Sequence, residues 1–164
     1  MAFADDLLEQ AKHLANREPK RPRQASLRRA VSTAYYALFH LLISDAIRNW
    51  RIASQRNKLA RAFDHGTMKR ACTAKKDELN RYLKTARAKP AVAIQRHMHT
   101  VVSTFVQAQQ DRHTADYDNS EHWSKTDVIT KIDAVTEAFQ SRNTIRKGEA
   151  AQEFLISLLG LKER

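Results

Sequence analysis

The sequence has little of what disulfide-linked or sheet-rich proteins depend on. Its 164 residues include one cysteine, Cys72, which excludes an internal disulfide and a cysteine-based zinc cluster. Three glycines and three prolines leave few positions for tight turns, while alanine, leucine, lysine, arginine and glutamine are abundant. This composition favours helix over sheet, and the length fits one domain, residues 1–164. We therefore expect an all-α fold.

Targeting and cofactor signals are also missing from the sequence. The first ten residues, MAFADDLLEQ, lack the basic region and apolar core of a signal peptide. The longest apolar run, residues 34–43, is shorter than the ~20 residues that span a membrane. No Gly-rich phosphate loop is present, and the seven histidines form no zinc motif. We expect a cytoplasmic protein without a metal or cofactor.

Positive charge is concentrated in the middle of the chain. The net charge is +11, but residues 17–96 alone hold 20 lysines and arginines against five acidic residues, which is +15. A concentrated excess of this kind suits binding to a polyanion, because each neutralised phosphate releases counterions. A solvated basic surface without a nucleic-acid partner remains the alternative, since charge alone does not identify a partner.

The most apolar stretch, residues 28–43, reads RRAVSTAYYALFHLLI. A helix that is apolar nearly all round is buried against several neighbours, so this stretch predicts the central helix, over residues 23–50. One narrow polar line interrupts it. The line contains Arg29, Ser32 or Thr33, Tyr36 and His40 at helical spacing, so these side chains share a face.

Helical periodicity predicts further elements on both sides of this stretch. Helices are expected over residues 3–16 and 92–115, and another is expected to start after Ser124 as its N-cap. Residues 51–89 carry a weaker apolar signal, so we expect short helices joined by mobile loops, ending at Lys89. Gly148 predicts a break before a final apolar patch.

One polar constellation lies near the end of the predicted helix 92–115. Arg112 and Asp116 are four residues apart and face the same side, and His113 is adjacent. The pair has two interpretations: an intrahelical ion pair worth ~0.2–0.5 kcal/mol, or a phosphate clamp, since a guanidinium offers a planar fork of donors. His113 could exchange a proton near neutral pH.

Two segments of the chain match a known pattern when they are taken together. Residues 32–40 contain AYYALFH, and residues 112–118 read RHTADYD, some seventy residues later. A helix with the first sequence, followed by an arginine and then ADY, resembles one branch of the HEPN superfamily of small helical domains. The resemblance covers about residues 8–139.

The resemblance implies an architecture and an activity. The expected fold is an antiparallel helical bundle of about five helices. The basic helical segment at about residues 51–90 is then an insertion, and about residues 148–164 are a C-terminal helical extension. Many HEPN proteins are dimers from prokaryotic defence or toxin–antitoxin systems, and many are metal-independent ribonucleases that cut RNA at a cleft between two protomers.

The chain departs from the motif of the HEPN nucleases. That motif is an arginine, four to six residues, and then a histidine. After Arg112 the corresponding positions hold Tyr117, Asp118 and Asn119. Arg112 therefore matches the motif, whereas its histidine is absent and the chain has the Arg–x–x–x–Asp–Tyr variant.

Metal-independent RNA cleavage needs a base, an acid and a cation near the phosphate that the ribose 2′-hydroxyl attacks. Arg112 fits the cation, and the other catalytic candidates are His113, Asp116 and His40. The residues expected to bind nucleic acid are Tyr36, Arg29, Tyr117, Lys69 and Arg70.

The preferred function is RNA binding, and the same residues make the protein a candidate ribonuclease. The protein is expected to form a homodimer. The alternative is a non-catalytic HEPN interaction module that binds a nucleotidyltransferase-like or other protein partner, or a nucleotide. The neighbouring gene would discriminate between them, because a small nucleotidyltransferase-like protein beside it favours a toxin–antitoxin pair.

Overall fold

The computed structural model describes residues 2–87 and 90–161, and within them the chain forms seven α-helices and no strand. The helices are α1 Phe3–Asn16, α2 Gln24–Arg48, α3 Arg56–Ala60, α4 His65–Thr85, α5 Pro90–Tyr117, α6 Lys125–Ile145 and α7 Glu149–Ser157. A 3₁₀ turn, Ala53–Gln55, precedes α3. The predicted all-α helical bundle is confirmed.

Helix α2 lies at the centre of the bundle, packed against α1, α5 and α6. Its stripe of apolar side chains is buried, as predicted, and includes Leu27, Val31, Ala34, Leu38 and Leu41. By length and composition alone α2 could cross a membrane, yet 67% of its most apolar window is buried inside the bundle. Burial of this kind is typical of a core helix, which is apolar because it has neighbours on several sides.

Sequential long helices pack antiparallel to each other. Phe3 at the start of α1 meets His40 late in α2, with the ring centroids 5.0 Å apart. Lys131 of α6 pairs with Asp111 of α5 at 2.8 Å, which joins the end of α5 to the start of α6. The C-terminal end of α5 lies beside the N-terminal half of α2, where Ser32 contacts Asp116 and Arg28 donates to the Ala115 carbonyl.

The basic middle of the chain differs from the expectation. We predicted short helices with mobile loops, but residues 65–85 form one helix of 21 residues, α4, after only a short α3. Asp64 caps α4 by accepting a hydrogen bond from the Thr67 amide at 2.9 Å. Three buried side chains, Met68, Cys72 and Leu79, give α4 a narrow apolar stripe that is sufficient to hold it against the bundle.

Several end positions also differ in detail. Two apolar side chains near helix starts are exposed: Phe3, the first residue of α1, is 61% exposed, and Ile94, the fifth residue of α5, is 47% exposed. Gly148 is the N-cap of α7, in agreement with the predicted break. The predicted end of the basic segment at Lys89 and the last part of the C-terminal extension, 162–164, lie outside the described residues.

Candidate functional site

The two segments of the resemblance meet where α2 and α5 pack together. Nη1 of Arg112 lies 3.6 Å from Oδ2 of Asp116, one helical turn further along α5. The same carboxylate oxygen accepts a hydrogen bond from the Ser32 hydroxyl of α2 at 3.3 Å. The guanidinium also lies over the ring of Tyr35, with its central carbon 5.4 Å from the ring centroid. The Arg112–Asp116 pair is thus fixed by α2 on one side.

The guanidinium of Arg112 is mostly buried and poorly paired. Its side chain is only 13% exposed, and its Nε is fully buried without a hydrogen-bond partner. Within residues 2–87 and 90–161 no group accepts a hydrogen bond from any of its five N–H groups, and the distance to Asp116 is that of a loose ion pair. Buried donors without acceptors cost free energy, so this site has unused capacity for an anion.

Two other arginines of the bundle are fully used by the fold. Arg28 of α2 donates to the backbone carbonyls of Ala115, Asp118 and Glu121, which fastens the end of α5 and the following loop. Arg142 of α6 makes a two-pronged, buried contact with the Asp45 carboxylate of α2. Compared with these structural arginines, Arg112 is the one whose donors the described residues leave free.

A histidine from the start of α4 completes the cluster around Tyr35. The Tyr35 hydroxyl is 2.6 Å from Nδ1 of His65, and the Tyr35 side chain is completely buried. The His65 ring stacks on Phe39 with centroids 4.2 Å apart, and the edge of Tyr36 approaches it at 5.8 Å. The His65 ring is therefore held in one orientation.

The protonation of this cluster follows from burial and charge. Burial, together with the neighbouring Arg112 charge, lowers the pKa of His65 below its ordinary value, so the ring is neutral at pH 7. Burial raises the pKa of Tyr35, against which Arg112 acts in the opposite direction, so the phenol keeps its proton. Burial also lowers the pKa of His40.

The structure brings some of the predicted site residues together. Arg112 and Asp116 form the centre, and Tyr36 lies against His65 beside them. His40 is at the edge of the cluster, 6.5 Å from Tyr36 between ring centroids, and it also lines a groove of about 530 Å³ between α1, α2 and α6.

Other predicted residues lie away from this cluster. His113 and Tyr117 pack on each other with centroids 5.1 Å apart, and both are exposed. Arg29 and Arg70 are exposed as well, and Arg70 donates to the Thr67 hydroxyl at 2.9 Å. Lys69 is half-buried on α4. These side chains are not part of the Arg112 cluster.

His65 and Tyr35 were not among the predicted site residues. His65 was missed because its partner Tyr35 is 30 positions away and local spacing does not reveal such a contact. The sequence feature that could have located His65 is Asp64, an N-cap residue type, which places the next side chain, His65, in the first turn of a helix. Tyr35 lay within AYYALFH, but Tyr36 was the tyrosine assigned to the polar line.

The donor set of this site is suited to an anion rather than to a metal. Across residues 2–87 and 90–161, no group of three or more histidine, cysteine, aspartate or glutamate side chains is arranged to hold a metal ion. The described cluster instead combines a guanidinium, an imidazole and a phenol, with Asp116 as its one paired carboxylate.

Comparison with known proteins identified no relative of this chain. No protein-family model, curated protein or solved structure matches the chain.

Proposed function

We propose that this chain is an RNA-binding protein of the HEPN type, in which Arg112 contacts a phosphate of the RNA. The observation that carries the proposal is the guanidinium of Arg112, 13% exposed and without a hydrogen-bond acceptor among the described residues. A phosphate offers oxygens in the planar, two-pronged arrangement that a guanidinium matches.

Two further features support RNA as the anion. The excess of +15 over residues 17–96 would attract a polyanion. The AYYALFH helix and the helix with Arg112 pack against each other, and Ser32 of the first contacts Asp116 of the second. A cytoplasmic location, a homodimer and a role in prokaryotic defence or a toxin–antitoxin system belong to the same proposal, through the resemblance.

The proposal extends to metal-independent cleavage of the bound RNA. In that reaction the 2′-hydroxyl attacks the adjacent phosphorus, the bond from phosphorus to the 5′-oxygen breaks, and a 2′,3′-cyclic phosphate forms. Arg112 stabilises the charge that grows on the phosphoryl oxygens, and the Asp116 carboxylate accepts the proton of the 2′-hydroxyl. Water returns a proton to the 5′-oxygen that leaves.

The test compares Arg112→Ala with Lys147→Ala in fluorescence anisotropy with short single-stranded RNA at low salt. Both variants lose one positive charge, but Lys147 is exposed and follows the C-terminal end of α6. The N-terminal end of α6, which lies beside the end of α5, is about 30 Å away along the helix. We expect Arg112→Ala to weaken binding about tenfold or more, since hydrogen bonds to charged groups are worth ~1.5–3 kcal/mol. Lys147→Ala should change it little.

Arg112→Lys should restore little of the affinity, because an ammonium lacks the planar fork. Equal losses in Arg112→Ala and Lys147→Ala would show that affinity is diffuse charge attraction, and no binding by the wild type at low salt would remove RNA as the partner. Incubation of several RNAs in EDTA tests cleavage, and intact RNA with folded protein would limit the function to binding.

A further inference from the structure

The hydroxyl of Tyr35 determines where His65 carries its proton. Tyr35 is 0% exposed. Within the described chain, the hydrogen-bond partner of the Tyr35 hydroxyl is Nδ1 of His65, 2.6 Å away. The hydroxyl has one proton and needs one acceptor. If Nδ1 were the donor, the Tyr35 proton would be buried without an acceptor, which is costly. Tyr35 therefore donates to Nδ1, which leaves the single proton of the neutral imidazole on Nε2.

The Nε2–H of His65 is left for a ligand. No group of residues 2–87 or 90–161 hydrogen-bonds to it, and the side chain is only half-buried, so this edge of the ring reaches solvent. The ring cannot turn away easily, because it is stacked on Phe39 and its Nδ1 is hydrogen-bonded to the Tyr35 hydroxyl.

His65 and Arg112 both contact Tyr35. The Arg112 guanidinium lies over the Tyr35 ring, and the Arg112 charge is close enough to His65 to lower the pKa of that imidazole. Gln109, one turn before Arg112 on α5, holds the first residue of α4 at this position. A donor and a cation are thus held against the same buried tyrosine by three helices.

We propose that His65 is a second phosphate-binding residue, donating its Nε2–H to the same RNA phosphodiester that Arg112 contacts, and that Tyr35 is the positioning residue that holds this tautomer. The inference rests on the proposed function and names the contact by which that site holds its RNA. An imidazole that is a neutral donor binds an oxyanion without needing protonation.

The first experiment measures the tautomer in the wild-type protein and needs no variant. Long-range ¹H–¹⁵N correlation spectra at neutral pH should show His65 with its proton on Nε2, and Tyr35→Phe should give a mixture of tautomers. The addition of a short oligouridine should shift the His65 Nε2 resonance. A wild-type ring protonated on Nδ1, or a His65 signal unmoved by saturating RNA, overturns the inference.

The second experiment measures RNA affinity by fluorescence anisotropy for His65→Ala, His65→Asn and His65→Gln. Glutamine places an N–H donor near the position of Nε2, whereas the shorter asparagine does not. We expect alanine and asparagine to weaken binding about five- to tenfold and glutamine to retain most of it. The matched control is His99→Ala, since His99 is half-buried on α5 and bonded to Asn80 at 2.8 Å, well before Arg112 in that helix.

The outcomes separate the inference from the proposed function. If the wild type binds RNA and Arg112→Ala loses binding, but all three His65 variants bind like the wild type, the role of His65 is wrong and the RNA-binding proposal stands. If the wild type does not bind RNA at low salt, both fail. Loss of affinity in His65→Ala with an unchanged melting temperature, rescued in His65→Gln, supports the inference.

Discussion

At the scale of single residues, the ion pair between Arg142 and Asp45 ties α6 to α2 in the interior. The two side chains are 10% and 8% exposed. We predict that Arg142→Ala destabilises the protein by roughly 3–5 kcal/mol, because it leaves the Asp45 carboxylate buried without a counter-charge. Urea unfolding followed by circular dichroism measures this free energy.

The double variant Arg142→Met with Asp45→Leu is the control for this prediction. Replacing both charges by apolar groups removes the stranded carboxylate, so much of the stability should return. A double variant as unstable as Arg142→Ala would mean that packing of the arginine stem, and not its charge, holds the two helices together.

The histidines His40 and His65 predict a pH dependence of stability. Burial lowers the pKa of each below 6.5, with Arg112 adding to the effect at His65. At a pH between the folded-state and unfolded-state pKa values, the two histidines are protonated in the unfolded chain but neutral in the folded chain. The free energy of unfolding therefore falls as the pH drops below about 6.5. The denaturant concentration at the unfolding midpoint should decrease as the pH is lowered from about 7 to 5. The decrease should be smaller in a His40→Gln, His65→Gln double variant. An equally steep decrease in that variant would assign the effect to other groups.

The candidate site was only partly accessible from the sequence. The Arg112–Asp116 pair could be predicted because both members lie on one helix at a spacing of four. The contact between Tyr35 and His65 joins two helices, and no local pattern encodes which face of α4 meets α2. His113 was expected to act with Arg112 because it is adjacent in sequence, but neighbours on a helix point about 100° apart.

At the scale of elements, the end of α7 is fitted closely to the start of α4. Gly160 has φ +69°, and a Cβ at this position would lie 2.5 Å from Cγ2 of Thr67. We predict that Gly160→Ala destabilises the protein by about 1–2 kcal/mol or more, because the left-handed conformation and the contact with Thr67 both oppose a side chain. Thermal unfolding measures the loss.

Gly66→Ala is the matched control for Gly160→Ala. Gly66 lies in the first turn of α4, and a Cβ there would meet neighbours only at 3.4 Å and beyond, which is ordinary contact. Alanine is the better helix former, so this variant should be neutral or stabilised by up to ~1 kcal/mol. If both variants lowered stability equally, the close approach of Gly160 to Thr67 would not be the cause.

The long helices were predictable because their apolar residues recur over many turns. The predicted range 3–16 matches α1, and Ser124 is the N-cap of α6. The length of helix α4 was underestimated because it has only three buried side chains among many lysines and arginines. Its helical state depends on packing against α5, which the sequence pattern alone does not contain.

At the scale of the whole molecule, the charge distribution predicts how the proposed RNA binding depends on salt. With +15 over residues 17–96, several phosphates should be neutralised at once. The logarithm of the affinity should then fall linearly with the logarithm of the salt concentration, at a slope of roughly −0.7 per phosphate contacted on a single strand. Anisotropy titrations at several salt concentrations measure this slope.

Arg112→Ala should reduce the slope by the value of about one phosphate contact. The remaining slope should come from the basic side chains of residues 17–96, among them Arg29, Lys69 and Arg70. An affinity that does not change with salt would contradict phosphate contacts as the basis of binding.

The central position of α2 has a consequence for synthesis on the ribosome. Its partners emerge long afterwards: Gln24 bonds to the Trp123 carbonyl 99 residues later, and Asp45 meets Arg142 after 97. At translation rates of about 5–20 residues per second, α2 waits roughly 5–20 s for its contacts with Trp123 and α6. Until α5 and α6 are made, the most apolar segment of the protein is covered mainly by α1, so the nascent chain is a natural client for chaperones that bind at the exit tunnel.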